Sequence, residues 1–397
     1  MSLRESEDRV PPLTDMLRLP LQAALTGALR GGRPLFERWA QPGYFQAGLP
    51  PRVERVLVLT SGSLRAGIWN VAVFEALARR LPEGAELWVA CRQRELPLWE
   101  GRVPGERQLV LAHLAGDPRL DRGTSVGLWQ EGAALRDRRF DLILDLCGTR
   151  ASAALSFLAR PRRALGCASG GPGTLYSRPP SEVPPDWHRA LRAWSVVEAI
   201  SGWAPSQPPP PLPLVDEPDP GDRSGRRAWA VDGLADFTVL VPGDAAAALR
   251  WPRAGWASLA HRLAARGPLV VLGRPDEEEL LQALCAAAPS AIPVLPGPLR
   301  PAAWLLGQAR AVLVNDGQWG HVAAAQGAPV LTLFGGSNPK RVRPLGGRCK
   351  VLRSACPYRP EGGQAGCRGA AEPPCTEVCW SALTPERVLE ALEQLAN

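Results

Sequence analysis

An acidic residue and an imidazole lie five residues apart in the segment at 311–334, AVLVNDGQWGHVAAAQGAPVLTLF. The segment predicts a buried strand, a turn at 315–317, a short helix and a second buried strand. Asp316 then lies at the carboxyl end of the first strand, and His321 in the first turn of the helix. Open parallel sheets bind ligands at this edge, because strand ends and helix N-termini converge there. The pair is suited to a nucleotide; the alternative is a capping aspartate and a surface histidine.

Alternating strands and helices surround this segment. Apolar runs such as VLVL at 56–59 and LILDL within 141–146 predict strands that helices cover on both faces. A further strand is expected at 109–114 and a helix at 70–81. One series begins at residue 53 and another at 236, and the stretch between them is rich in proline, with PPPPLPL at 208–214. The predicted fold class is α/β, with two doubly wound domains that face each other across a cleft.

We divide the chain into four parts on this basis. Residues 1–52 form an N-terminal extension, 53–180 the first domain, 181–235 a Pro-rich linker with one helix at 187–200, and 236–397 the second domain. The extension carries leucines at helical spacing and several arginines over residues 13–39. It is either an interfacial helix on an acidic membrane surface or a helix packed against the first domain.

The charge balance of the chain argues against nucleic acid as a partner. The formal charge is +7, but lysine occurs only at Lys340 and Lys350, and the arginines are scattered without a long basic run. A nucleic-acid protein would cluster its basic residues on one face or helix. No stretch reaches the roughly 20 apolar residues that a membrane span needs. The start, MSLRESEDRV, lacks an apolar signal-peptide core, which predicts a cytoplasmic protein.

Four of the nine cysteines lie close together near the C-terminus, at Cys356, Cys367, Cys375 and Cys379. Four thiols can bind a structural zinc ion tetrahedrally, although this spacing lacks the tight CxxC pairs of zinc fingers. Two disulfides are an alternative that the predicted reducing compartment disfavours, and free thiols are a third. The sequence leaves the three states open.

Six motifs match the pattern of one known family in order and spacing. They are RVLVLTSGSL at 55–64, FDLILDLCGTR at 140–150, VPGDAAAALRWP at 241–252, GRPDE at 273–277, DGQWGHVAAA at 316–325 and FGGSNP at 334–339. The last five resemble the family segments YDLVIDLQGxxR, HPGxxxxxKRWP, GGPxE, DSGxxHxAAA and FGPTDP. The chain therefore resembles the bacterial heptosyltransferases of glycosyltransferase family nine from about residue 55 to its C-terminus.

The resemblance implies two Rossmann-like domains of the GT-B type and transfer of a sugar from a nucleotide donor. The donor is typically ADP-heptose, and the acceptor is the lipopolysaccharide inner core or another envelope glycolipid on the cytoplasmic membrane face. It implies chemistry without a metal or other cofactor in the active site, so zinc is considered only at the cysteine cluster. Peripheral membrane contact is expected, and nucleic acid is not.

The family motifs also imply roles for particular residues. Glu277 would hold the donor ribose, Asp316 and His321 would lie at the diphosphate and sugar, and Arg250 would help to neutralise the leaving diphosphate. Ser337 would contact phosphate, and the first loop would contribute Gly62, Ser63 and Arg65 to an acceptor or phosphate loop. The alternative for each is an ordinary cap, turn residue or solvated charge.

The chain departs from the family where the chemistry takes place. The family aspartate that is the proposed general base aligns with Ala66, and the family lysine before RWP is Leu249 here. An inverting transfer needs a base for the acceptor hydroxyl and charge relief for the leaving nucleotide. We consider Asp145, at the end of its strand, as a substitute base and Arg65 as a substitute cation.

Two functions of different classes follow from these observations. The first is an inverting glycosyltransferase, and the retained Glu277, Asp316 and His321 favour at least a donor site. The second is a catalytically degenerate relative that binds nucleotide or glycan or acts as a scaffold, which Ala66 and Leu249 favour. A nucleotide-sugar epimerase of similar two-domain build is a third possibility.

Overall fold

The computed structural model describes most of the chain between residues 40 and 396. The described residues are 40–46, 49–60, 63–114, 122–168, 171–178, 182–184, 186–202, 205–215, 231, 233–243, 250–295, 299–353 and 380–396. The predicted helix at 13–39 and the four clustered cysteines lie outside these residues, as do Gly62 and Leu249.

The first sheet is built from strands within residues 55–166. They are β1 (Arg55–Leu59), β2 (Glu86–Cys91), β3 (Gln108–Val110), β4 (Leu142–Asp145) and β5 (Arg163–Gly166). Among the described residues these strands form one parallel sheet in the order β3-β2-β1-β4-β5. The accompanying helices are α1 (Leu64–Ala78), α2 (Arg122–Asp137) and α3 (Arg150–Leu158), with 3₁₀ helices at Gln93–Leu98, Gly105–Arg107 and Gly171–Leu175.

The second sheet follows the Pro-rich stretch. Its strands are β6 (Thr238–Val241), β7 (Leu269–Leu272), β8 (Ile292–Val294), β9 (Ala311–Asn315), β10 (Val330–Phe334) and β11 (Cys349–Arg353). Across the described residues they are parallel and ordered β11-β10-β9-β6-β7-β8. The remaining helices are α4 (Leu191–Ser201), α5 (Arg253–Ala264), a 3₁₀ helix at Pro275–Glu277, α6 (Glu278–Ala287), α7 (Leu299–Gly307), α8 (Trp319–Ala325), α9 (Pro339–Val342) and α10 (Pro385–Ala396).

In each sheet the chain adds strands first on one side of the central strand and then on the other. This arrangement opens a crevice at the carboxyl ends of the strands. In the first sheet β1 lies between β2 and β4, and Leu59 pairs with Asp145 at the strand ends. In the second, β6 lies between β7 and β9, and Val241 pairs with Val314. Strand β1 is apolar and buried after the exposed Arg55, and β9 is buried throughout, as expected of parallel strands covered by helices. The predicted α/β class is confirmed.

The two sheets are joined by packing between helices that follow their central strands. Helix α1, after β1, packs against α8, after β9, and one apolar core continues from Val56 of the first sheet to Val314 of the second. The helix predicted at 187–200 begins at Leu191 and packs against α1, β4 and β5. No helix among the described residues is long and apolar enough to cross a membrane.

Candidate active site

An ion pair connects the two sheets at the crevice. Arg65 in the first turn of α1 places Nη2 3.1 Å from Oδ1 of Asp316, which follows β9. The same nitrogen donates to the Asp316 carbonyl oxygen at 3.3 Å. The Ser337 hydroxyl donates to the other carboxylate oxygen, and the Asp316 side chain is only 3 % exposed. Three residues predicted from separate motifs therefore lie together, and a buried carboxylate holds Arg65 at the cleft.

A stack of aromatic rings lies beside this ion pair. The Trp69 ring of α1 packs edge-on against His321 at a centroid distance of 5.2 Å and against His188 at 4.9 Å. Burial, followed by the charge of Arg65 and by His188, lowers the pKa of His321 well below its usual value, and a contact with the Val342 backbone opposes this. Burial likewise lowers the pKa of His188 to about 4. Both imidazoles are therefore neutral at physiological pH.

His321 differs from His188 in its hydrogen bonding. His188 Nε2 lies 3.0 Å from the Arg343 carbonyl, and its Nδ1 accepts from the Ala190 amide at 3.2 Å. The ring nitrogens of His321 make no hydrogen bond of regular geometry within the described residues, although the side chain is almost completely buried. Buried polar atoms are normally hydrogen-bonded. The neutral His321 ring can therefore form hydrogen bonds with a ligand that enters between the sheets.

Glu277 forms a second charged group on the other side of β6. Its carboxylate lies 2.9 Å from Arg250 Nη2 and 3.2 Å from Arg274 Nη2, and it accepts from the Arg274 amide at 3.0 Å. The structure therefore brings the predicted Arg250 and Glu277 together. Arg274 was not predicted from the sequence. It stands at the second glycine of the family segment GGPxE and lines the cleft.

The Glu277 carboxylate occupies the space next to Gly243, where a Cβ would overlap its atoms. We expect Gly243→Ala to displace Glu277 from its arginine partners and to lower the unfolding free energy by about 1–3 kcal/mol. Urea unfolding and calorimetric titration with ADP would measure the two effects. Gly267→Ala is the matched control, because nothing lies within 4 Å of its added Cβ. Equal behaviour of the two variants would contradict the close contact.

The cleft between the sheets has a volume of about 510 Å³ and a strongly cationic lining. Among the described residues, its charged lining side chains are all arginines, namely Arg65, Arg94, Arg189, Arg192 and Arg274. Burial, and then the charges of Arg341, Arg65 and Arg192, lower the pKa of Arg189. Crowded like charges are relieved by an anionic ligand. The cleft is therefore suited to a polyanion such as a nucleoside diphosphate.

Asp145 directly precedes Leu146 and Cys147, which line this cleft. Its carboxylate is fully buried, accepts from the Tyr176 hydroxyl at 2.7 Å and accepts from the amides of Cys147 and Gly148 at 2.8 and 3.2 Å. Burial raises its pKa, and these hydrogen bonds oppose the shift. It does not line the cleft. This is the geometry of a buried cap whose carboxylate oxygens are both occupied; the base role that we considered for Asp145 stays a prediction.

The loop after β1 caps helix α1. Ser63 is the N-cap, and its hydroxyl accepts from the Ala66 amide at 3.3 Å. Ser63, Arg65 and Ala66 all line the cleft. The described cysteines (Cys91, Cys147, Cys167, Cys285 and Cys349) are free thiols, and the described residues contain no metal-binding cluster of three His, Cys, Asp or Glu side chains.

Comparison with known proteins identifies the family. The model of glycosyltransferase family 9 (heptosyltransferase) matches residues 128–365, more than half of the chain. The chain belongs to this family. It is 34% identical to lipopolysaccharide heptosyltransferase 1 of Pseudomonas aeruginosa over 41% of this chain and 49% of that protein. It is 32% identical to lipopolysaccharide heptosyltransferase 2 of Salmonella typhimurium, over 38% of this chain and 43% of that protein. The chain spans about half the length of these curated relatives.

Solved structures share the fold. The E. coli ADP-heptose LPS heptosyltransferase II superposes with a TM-score of 0.66 at 21% identity, over 86% of this chain and 98% of that one. A family 9 glycosyl transferase from Veillonella parvula superposes with a TM-score of 0.69 at 16% identity, over 86% of this chain and 97% of that one. The E. coli heptosyltransferase WaaC with ADP-2-deoxy-2-fluoro heptose superposes with a TM-score of 0.62 at 18% identity, over 86% of this chain and 99% of that one. The predicted two-domain GT-B fold of this family is confirmed.

Proposed function

We propose that this protein is an inverting glycosyltransferase that moves a heptose from ADP-heptose to lipopolysaccharide or another envelope glycan acceptor. The observation that carries the proposal is the cross-sheet group of Arg65, Asp316 and His321 at an arginine-lined cleft in a member of family 9. The family relatives are named as lipopolysaccharide heptosyltransferases, and one solved neighbour holds an ADP-heptose analogue.

The site can stabilise a leaving nucleoside diphosphate with protein cations alone. Negative charge develops on the diphosphate as its bond to the anomeric carbon breaks, and fixed cations in a cleft lower the energy of that state. Arg65 is held in place by Asp316, and four further arginines line the same cleft. The arrangement supports the expected chemistry. In it, these arginines take over the role of the family lysine, whose position is occupied by Leu249 in this chain.

Donor binding depends on the contacts between the sheets. ADP at 100-fold excess over its dissociation constant should raise the unfolding free energy by about 2.7 kcal/mol. Asp316→Ala should abolish this shift because it releases Arg65, and His321→Ala should do so because it removes the buried imidazole. Thermal unfolding with and without ADP measures both. His261→Ala, an exposed histidine on α5, is the control; variants that respond like the parent would place the donor elsewhere.

A binding or scaffold role without transfer is the second candidate function. It is favoured by Ala66 and by the lack of carboxylates among the described residues that line the cleft. Turnover of ADP-heptose with heptose-deficient lipopolysaccharide separates the two functions, since a degenerate relative would bind ADP and transfer nothing. A structural zinc at the clustered cysteines, a cytoplasmic location and peripheral membrane contact stay predictions.

A further inference from the structure

A buried carboxyl group with an unsatisfied oxygen lies directly behind the cleft. Glu95 belongs to the 3₁₀ helix Gln93–Leu98 after β2, and its side chain is 0% exposed. Among the described residues, its Oε2 receives one long hydrogen bond of 3.5 Å, from the Arg92 amide. Its Oε1 has no hydrogen-bond partner within the described part of the chain. An unsatisfied buried carboxyl is costly, so its presence calls for a reason.

The neighbours of Glu95 place it next to the first turn of α1. Leu98 is three residues further on and shares its side of the 3₁₀ helix. A Cβ on Gly67 would lie 2.6 Å from Leu98 Cδ1, so this side packs against α1 one residue beyond Ala66. Ala66 lines the cleft and carries no group that can accept a proton.

Arg94 connects Glu95 to the cleft. Its Nε lies 3.8 Å from Glu95 Oε1, and its side chain lines the cleft and is 61% exposed. We expect an anionic ligand in the cleft to attract this guanidinium away from Oε1. Asp145, the other buried carboxylate near these strand ends, has its oxygens occupied by Tyr176 and two backbone amides.

We propose that Glu95 is the catalytic residue that accepts the proton of the acceptor hydroxyl, in place of a carboxylate at Ala66. The inference rests on the proposed transferase function. The acceptor oxygen forms a bond to the anomeric carbon while its proton passes to Glu95 Oε1. The bond from that carbon to the diphosphate breaks, and ADP leaves with the electron pair. Glu95 then returns the proton to solvent.

The charges around Glu95 are suited to this role. Burial raises its pKa to about 7, while the Arg92 amide and the charges of Arg94 and Arg92 oppose the shift. A general base works best when its pKa is close to the operating pH. Burial, with the charge of Glu95 among the further causes, raises the pKa of the neighbouring thiols of Cys91 and Cys147, so both are neutral.

Within the described part of the chain, the elements packed most closely against the 3₁₀ helix, β3 and α1, add no charge that shifts the pKa of Glu95. Strand β3 contains no ionisable residue. Helix α1 contains two, Arg65 and Glu75, and these pair with Asp316 and with Arg102 at 3.1 and 3.5 Å. Arg92 and Arg94 are therefore the cations that set the charge state of Glu95.

The test is the transfer of heptose from ADP-heptose to heptose-deficient lipopolysaccharide by Glu95→Gln. We expect kcat to fall by about a hundredfold or more, with an unchanged KM for ADP-heptose. Wild-type kcat/KM should fall about tenfold per pH unit below pH 7 as Glu95 becomes protonated, and the variant should lack this acid limb. Glu95→Asp should restore part of kcat. Glu106→Gln, at an exposed glutamate of the next 3₁₀ helix, should behave like the wild type.

Folding and function are distinguished by the same set of variants. Glu95→Gln replaces a carboxyl that is protonated in the folded protein at pH 6 with a neutral amide of the same shape. The unfolded chain ionises Glu95 at that pH, so the melting temperature of the variant should be at least that of the wild type. Full turnover by this variant would overturn the role of Glu95 and leave the proposed function in place. The same holds for a loss of turnover that comes with an unchanged acid limb or with a raised KM for ADP-heptose. A folded wild type that transfers nothing would overturn the proposed function and this role together.

Discussion

Arg65→Leu is expected to lower heptose transfer at least a hundredfold. Arg65 reaches from α1 of the first sheet to Asp316 of the second, and its side chain stays 25% exposed in the cleft. In the proposed transferase, Arg65 is therefore a fixed cation where the leaving diphosphate acquires charge. Removal of one such electrostatic contact costs roughly 10²–10³ in kcat, and Leu249 offers no cation in its place.

Steady-state kinetics with ADP-heptose would measure this loss at a temperature where both proteins are folded. Arg65→Lys keeps the charge but not the forked geometry, so it should fall between wild type and Arg65→Leu. Arg79→Leu makes the same change at the exposed C-terminal end of the same helix and should leave turnover unchanged. If Arg65→Leu and Arg79→Leu have equal turnover, the substitute cation is another residue.

The sheets could be predicted from sequence because each central strand is a continuous apolar run. The prediction at 56–59 corresponds to β1 at Arg55–Leu59, and the prediction at 141–146 to β4 at Leu142–Asp145. Short or mixed strands were less visible: β5 and β11 were not predicted, and the strand expected at 109–114 is only Gln108–Val110. Helix α1 begins at Leu64 rather than residue 70, and its N-cap Ser63 is the local signal that would have corrected the start.

The site was predictable where one motif carries its own geometry. Asp316 and His321 are placed by a single strand-turn-helix segment, and the structure brings both to the contact with α1. Glu95 and Arg274 come from 3₁₀ segments after other strands, and their roles depend on what packs against them. The hydrogen bonding of Asp145 could not be predicted for the same reason. Its partner Tyr176 is 31 residues away in sequence, and no local pattern indicates the contact.

Asp145→Asn is expected to destabilise the protein without a selective loss of turnover. The carboxylate accepts from the Tyr176 hydroxyl and from the amides of Cys147 and Gly148 inside the first sheet. An asparagine amide group has one oxygen, so at least one of these buried contacts is weakened. A disturbed buried hydrogen bond costs about 1–3 kcal/mol, and urea unfolding would show this as a lower midpoint with an unchanged slope.

Tyr176→Phe is the matched control for this variant, since it removes one of the same hydrogen bonds and leaves the carboxylate in place. Its loss of unfolding free energy should be about 1 kcal/mol, and its turnover should equal that of the wild type. A general base at position 145 gives the opposite result for Asp145→Asn, namely a fall in kcat of about a hundredfold or more with little change in stability. That result would assign the acceptor proton to Asp145 and remove Glu95 from the chemistry, because one transfer releases one proton to one base.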